Sequence, residues 1–248
     1  MNSYQSNLAI FLLFFSIISL ISLSFLDKKK WLVLRPLKPV KDFLRIIGFS
    51  IEQGKRIHIS LGRSKVEQIS GAASIISLST LRRLSALSNL IDNPPIITSG
   101  SGDLAILSQD IIKNSYKLNG VLEKYEMNNV FMTGLTRYSY VAGILPNFPQ
   151  DIANQSIIGH IGPEIGLLLD LNNKRNVTAF AGTDSLMGQA VSYAMADEIV
   201  FGEDIFAIPA NLENSTSQNA SLQTQDFLRI LAIIIIIFTS LLKLVGIL

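Results

Sequence analysis

Asn93 to Asp110 reads NPPIITSGSGDLAILSQD. Pro94 and Pro95 stop any preceding helix, Ile96 to Thr98 is a short apolar run, Ser99 to Gly102 is a turn, and Asp103 opens a helical pattern. A strand, a tight loop and a helix thus follow one another, and the same grammar recurs about six times between Arg56 and Phe201. Strands alternating with helices at this spacing imply a mostly parallel sheet with both faces covered. The expected fold is α/β: a Rossmann-like, doubly wound, mostly parallel sheet of about six strands, occupying residues 55–211.

On the amino side of this stretch, RIHISL (Arg56 to Leu61) alternates Ile57, Ile59 and Leu61 with Arg56, His58 and Ser60. That pattern suits an edge strand or one with a partly polar face. Gly71 to Ile91 reads as a long helix with Ala72, Ile75, Leu78, Leu81, Leu84, Leu87 and Leu90 at every third position. Three is shorter than the 3.6-residue turn, so the stripe winds around the helix and buries more than one face. On the carboxyl side, Asn129–Thr133, Gln155–Ile161, Val177–Ala181 and Glu198–Phe201 read as strands. Tyr138–Leu145, Glu164–Leu171 and Asp184–Ala194 read as helices.

The chain has 248 residues, is 48% hydrophobic and has a mean hydropathy of +0.39, more apolar than a soluble domain of this size needs. Much of the excess sits at the ends. Met1 to Leu26 carries no charge, and residues 1–27 are expected to form a membrane-spanning helix. A cleaved signal peptide would place positive charge before its apolar core. Here the charge follows, at Lys28, Lys29, Lys30, Arg35, Lys38, Lys41 and Arg45. This basic segment, residues 28–54, is expected to meet anionic headgroups, chiefly through Lys28, Lys29, Lys30 and Arg35, in preference to nucleic acid. It also places the central domain in the cytoplasm, anchored to the inner membrane, with both termini on the far side. Residues 212–226, polar and aperiodic, read as a flexible linker. Residues 227–248 read as a second span, with Arg229 and Lys243 near its ends.

Three short stretches carry a resemblance. RIHISLG at Arg56 to Gly62, the doubled proline before Ile96, and GEDIFA at Gly202 to Ala207 resemble a family of bacterial membrane proteins carrying a domain of unknown function. The resemblance covers roughly Lys55 to Leu212. It implies a membrane-associated domain with no assigned reaction, and so supplies no catalytic residue. Members of that family lack the glycines of Ser99 to Gly102, a departure that bears on any phosphate-loop reading of this turn.

In a parallel sheet of this kind ligands bind beyond the carboxyl ends of the strands. The residues expected there include Ser99, Gly100, Ser101, Gly102, Asp103, His160, Gly182, Thr183 and Asp184. Gly100 to Ala105 matches G-x-G-x-x-A between a strand and a helix, where glycines let a phosphate approach a helix N-terminus. It follows the second strand, however, and the next strand ends without an acidic residue for a ribose. Ser101, His160 and Asp184 supply the residue types of a hydrolytic triad, but Ser101 lacks the glycine of a nucleophile elbow. Against these stands a structural reading in which Asp103 and Asp184 cap their helices and Glu164 occupies a first turn. With two histidines and no cysteine, no metal set is expected, and no cofactor is specified.

The chain therefore reads as a membrane-anchored, non-enzymatic α/β scaffold or assembly module. It would self-associate through the Gly71–Ile91 helix or join other membrane proteins, touching lipid and no nucleic acid. The alternative is a sensor or enzyme that binds a small anionic or nucleotide ligand at the strand carboxyl ends.

Overall fold

The computed structural model describes residues 10, 14–18, 21–22, 36–68, 70–88, 94–212 and 216–244. The chain divides into two compact units, Pro36–Glu213 and a second made of Met1–Arg35 with Asn214–Leu248.

In the larger unit the strands are β1 (Arg56–Ser60), β2 (Ile96–Ser99), β3 (Val130–Met132), β4 (Ile152–Gly159), β5 (Thr178–Thr183) and β6 (Glu198–Val200). They form one sheet in the order β3-β2-β1-β4-β5-β6, with every neighbouring pair parallel. The chain runs outward from β1 to β3, crosses back to β4 beside β1, and runs outward again to β6. Such an order leaves a crevice between the carboxyl ends of β1 and β4, where the winding reverses. β1 is therefore a central strand, and of the two readings of its alternation the partly polar face is the one realised.

Seven helices of this unit matter here: α1 (Lys38–Glu52), α2 (Gly71–Ser88), α3 (Gly102–Leu118), α4 (Arg137–Ile144), α5 (Ile165–Arg175), α6 (Leu186–Met195) and α7 (Ile208–Leu212). Local chemistry sets several of their ends. Thr136 and Ser139 form a capping box at the start of α4. Ser185 accepts the Gly188 N–H at the start of α6. Asn176, in the left-handed conformation at φ 54°, closes α5.

One face of the sheet is covered by α4 and α5. There Tyr140, Val141, Ile144, Ile165, Leu168 and Leu169 pack with Ile157, Ala179 and Ala181 of the strands. The successive residue Phe180 points to the other face, as strand alternation requires, and stacks on Phe43 of α1 with ring centroids 4.1 Å apart. α1 also touches β1, β4, β6 and α7, and α2 touches α3, α7 and β4. Only part of the expected stripe of α2 is used within the chain: Leu81 and Leu84 are buried, together with Ser74, Ser77, Thr80 and Ser85, whereas Ala72, Ile75 and Leu87 are exposed.

α1 begins inside the segment expected to lie along the membrane. Its period explains why it does not simply do so. Val40, Phe43, Ile47 and Ser50 form one buried face, and burying that face on the sheet removes apolar surface from water.

In the smaller unit α8 (Thr216–Leu244) is continuous. Residues 216–226, expected as a flexible linker, are thus helical, because adding a turn to an existing helix fixes few further dihedrals per hydrogen bond gained. Asn219–Ile237 of α8 is long and apolar enough to cross a membrane, the one such helix among the described residues. Residues 14–18 and 21–22 are helical, and Phe15 stacks with Phe227 at 6.2 Å. The rest of the expected amino-terminal span, and the basic residues Lys28, Lys29, Lys30 and Arg35, lie outside the described residues.

Because Phe43 is fully buried against the sheet, F43A is expected to lower the stability of the α/β unit by about 3–5 kcal/mol. Chemical denaturation checks it; a loss below about 1 kcal/mol would show that α1 is not part of the core.

Candidate functional site

The crevice between β1 and β4 is the place to look for a ligand, and the backbone closes it. Gly62 follows β1 with φ 78°, and a Cβ there would lie 2.9 Å from the His160 backbone nitrogen. Gly159 ends β4 with φ 139°, and its Cβ would lie 2.3 Å from the Leu61 carbonyl oxygen. Only glycine allows both the left-handed backbone and this approach. The two loops are also stitched together, since Arg63 N–H donates to the His160 carbonyl at 3.3 Å and Gly100 N–H donates to the Gly62 carbonyl at 2.8 Å.

Over this seam lies an ion pair. Arg63 Nε donates to Glu164 Oε1 at 2.8 Å, and the Glu164 side chain is only 1% exposed. Burial alone would raise the Glu164 carboxyl, but its own backbone N–H, the Arg63 side chain and the Gly162 N–H together hold it below the ordinary carboxylate range. Glu164 stands just before α5 without capping it; its partners are Arg63 and the Gly162 N–H, 3.0 Å away.

The Ser99–Gly102 turn is packed under the loop that follows β1. Ser99, Gly100 and Ser101 are buried. A Cβ at Gly100 would lie 2.5 Å from Arg63 Cβ, so this glycine admits the chain's own loop. Ser99 Oγ donates to the Ser101 carbonyl at 3.2 Å and Ser101 Oγ to the Ser64 carbonyl at 3.4 Å. Gly102 opens α3, and the Asp103 carboxylate in its first turn accepts the Val66 N–H at 2.8 Å. Burial would raise Asp103, yet hydrogen bonds from Ser101 and from the Val66 and Leu104 backbone leave it lowered. Asp103 therefore ties down the β1 loop.

A family model spans the whole chain, residues 1–248. The chain belongs to the domain of unknown function DUF6754. No curated protein matches it, and no solved structure does. The resemblance of RIHISLG, the doubled proline and GEDIFA to a domain-of-unknown-function family agrees with this membership, which extends past residues 55–212 to both ends of the chain.

Within the DUF6754 rim the residues singled out from sequence separate into groups. His160 and Asp184 come together, with Nδ1 and Oδ1 2.8 Å apart and both side chains half-buried. Ser101 is not with them: it sits beyond β2, separated from β4 and β5 by β1. Gly182 faces the sheet's interior, where an added Cβ would lie 3.1 Å from Ile208. Thr183 Oγ1 donates to the Ile161 carbonyl at 2.8 Å and accepts the Ile161 and Ser185 N–H groups at 3.2 Å, which ties the β4 and β5 loops together. At α6 the N-cap is Ser185, one residue after Asp184. Among the described residues no three of His, Asp or Glu form a metal-binding group.

The sequence reading missed a chain of buried polar groups beneath the seam. Gln155 Nε2 lies 2.7 Å from His58 Nδ1, and His58 Nε2 lies 3.0 Å from Thr98 Oγ1. Tyr140 hydrogen-bonds Ser60 Oγ and accepts the Gly62 N–H at 3.1 Å. Burial pushes the Tyr140 hydroxyl up to about 12 and His58 down to about 3. The signal available was the polar set His58 and Ser60 on a strand with apolar alternation; nothing local pointed to Tyr140 or Gln155 as partners.

Two outcomes are expected. R63M should cost about 3 kcal/mol, because it strands a buried carboxylate, while R63M/E164Q should recover most of that loss in a double-mutant cycle by chemical denaturation. Additive losses would show that the pair is not coupled. His58 stays neutral in the fold but gains a proton below about 6.5 when unfolded. Its contribution is thus complete above pH 6.5 and is lost as pH falls toward 3, by about 1 kcal/mol per pH unit. Between pH 7 and 5, H58Q should be less stable but show a flatter pH dependence than the parent, and parallel curves would refute the assignment.

Proposed function

We propose that this domain is a membrane-anchored, non-enzymatic α/β scaffold that self-associates, with the α/β unit on the cytoplasmic side and an apolar helix at each end of the chain. The observation that carries the reading is the closed rim. A doubly wound sheet that serves a small ligand keeps the crevice at its reversal point open. Here Gly62, Gly159 and the Arg63–Glu164 pair fill that place with the chain's own atoms.

Membrane anchoring is supported by α8, where Ile230 and Ile233 to Ile237 are all exposed. Such a row of isoleucines is stable in hydrocarbon and costly in water. Self-association draws support from α6 and, on α2, from the exposed Ile75 and Leu87, since Leu81 and Leu84 are used within the chain. On α6 Leu186 is 81% exposed, Met187 69% and Tyr193 74%, and the Tyr193 ring lies beside that of Phe201.

The test is particle mass in mild detergent. An oligomer is expected for the parent chain and a monomer for L186E/M187E; a strictly monomeric parent overturns the proposal. A thermal-shift series with nucleotides and phosphorylated metabolites addresses the ligand-binding alternative, for which the half-buried His160–Asp184 pair is the remaining foothold. Stabilisation near 4 kcal/mol, reached at about 1,000 times a dissociation constant, would favour that alternative.

A further inference from the structure

α1 presents two faces of opposite character. Val40, Phe43, Ile47 and Ser50 are buried on the sheet. Lys38, Lys41, Arg45 and Phe49, at spacings of three, four and four residues, are exposed along the opposite side. Phe49 is 50% exposed, and the Arg45 guanidinium carbon stands 5.7 Å from its ring centroid. A water-facing helix side has no need of a bare phenyl ring, whereas a ring beside cationic side chains is the composition of a surface that seats in the headgroup layer. Three carboxylates bear on this face. Asp42 flanks it and with Glu198 lies near Lys38, and Glu52 lies on it beyond Phe49, so Lys41, Arg45 and Phe49 form its effective centre. They span about 12 Å of helix.

We infer that this outer face of α1 docks the α/β unit flat against an anionic lipid surface, with Lys41 and Arg45 on headgroup phosphates and Phe49 below them. The inference rests on the membrane-anchored reading and adds to it the surface that faces the bilayer. The helix whose inner side completes the core thereby also carries the lipid contact, so the orientation of the domain would be set by folding. The chain contains no cysteine, which makes site-specific labelling straightforward. A Cβ at Gly48 meets nothing within 4 Å, so the backbone there accepts a cysteine without a clash.

The experiment places a nitroxide on G48C, and separately on I234C, in the full chain reconstituted in nanodiscs, and compares collision with oxygen and with a water-soluble nickel complex. In discs containing phosphatidylglycerol, the label at G48C should be shielded from nickel and accessible to oxygen. It should become water-accessible in pure phosphatidylcholine discs. K41Q/R45Q in the anionic discs should weaken docking about thirtyfold, the equivalent of about 1 kcal/mol for each basic contact removed. A label at G48C that stays water-accessible in anionic discs, while that at I234C is lipid-buried, overturns this inference and leaves the anchor standing. Shielding of G48C that ignores both lipid charge and K41Q/R45Q also overturns it, because a protein contact would then cover the face. A water-exposed label at I234C overturns the anchored reading and this inference with it.

Discussion

Where β1 and β4 end, two glycines let the backbones of their loops touch, and the rest of the rim is arranged on that contact. Gly62 and Gly159 both adopt positive φ, and each would collide with the opposite loop if it bore a side chain. Once the seam is shut, Arg63 is held over it and reaches Glu164. The loop that continues from Arg63 then covers Gly100 and meets Asp103 through the Val66 N–H. A buried ion pair gains little over well-packed apolar side chains, because desolvation offsets most of the attraction. Its effect here is one of position, since it keeps the β1 loop over the carboxyl end of the sheet.

Beneath the seam the centre of the sheet is unusually polar. His58, Gln155, Thr98, Ser60 and Tyr140 lie in the interior, where an unmet donor or acceptor costs more than the bond itself contributes. Their mutual hydrogen bonds tie β1 to β2, β4 and α4. Tyr140 is the link between layers: its hydroxyl joins Ser60 within the core to the Gly62 N–H at the rim. The polar core and the closed crevice are therefore parts of one arrangement. This supports the scaffold reading, because such a network favours one fixed geometry over an opening one.

The charged and apolar excess outside this core has a different logic. α1 uses its apolar side for the sheet and leaves a basic side with one exposed ring. α8 leaves its isoleucines uncovered. The isoleucines are costly in water, and the proposed placement sets α8 in the hydrocarbon and the outer face of α1 at the headgroups.

Much of the architecture was legible in the sequence alone. The repeated apolar run, glycine turn and helical pattern specified an α/β fold with parallel strands, because those signals are local and each needs only a few residues to be expressed. Membership in a family without an assigned reaction was likewise visible in short stretches such as RIHISLG. The helical course of residues 216–226 was not visible, since polar residues follow a neighbouring helix readily once it exists. Nor was the role of α1 as a core helix, because residues 28–54 read by their charge as a basic segment at the membrane. At the candidate site the residue types were found but their grouping was not. Ser101 and His160 both end strands, yet strand order places β1 between them; His160 meets Asp184 because β4 and β5 are neighbours. Whether Gly100 serves a ligand's phosphate or the chain's own Arg63 turns on which loop lies above it. Those are contacts between residues distant in sequence, and only the packed sheet decides them.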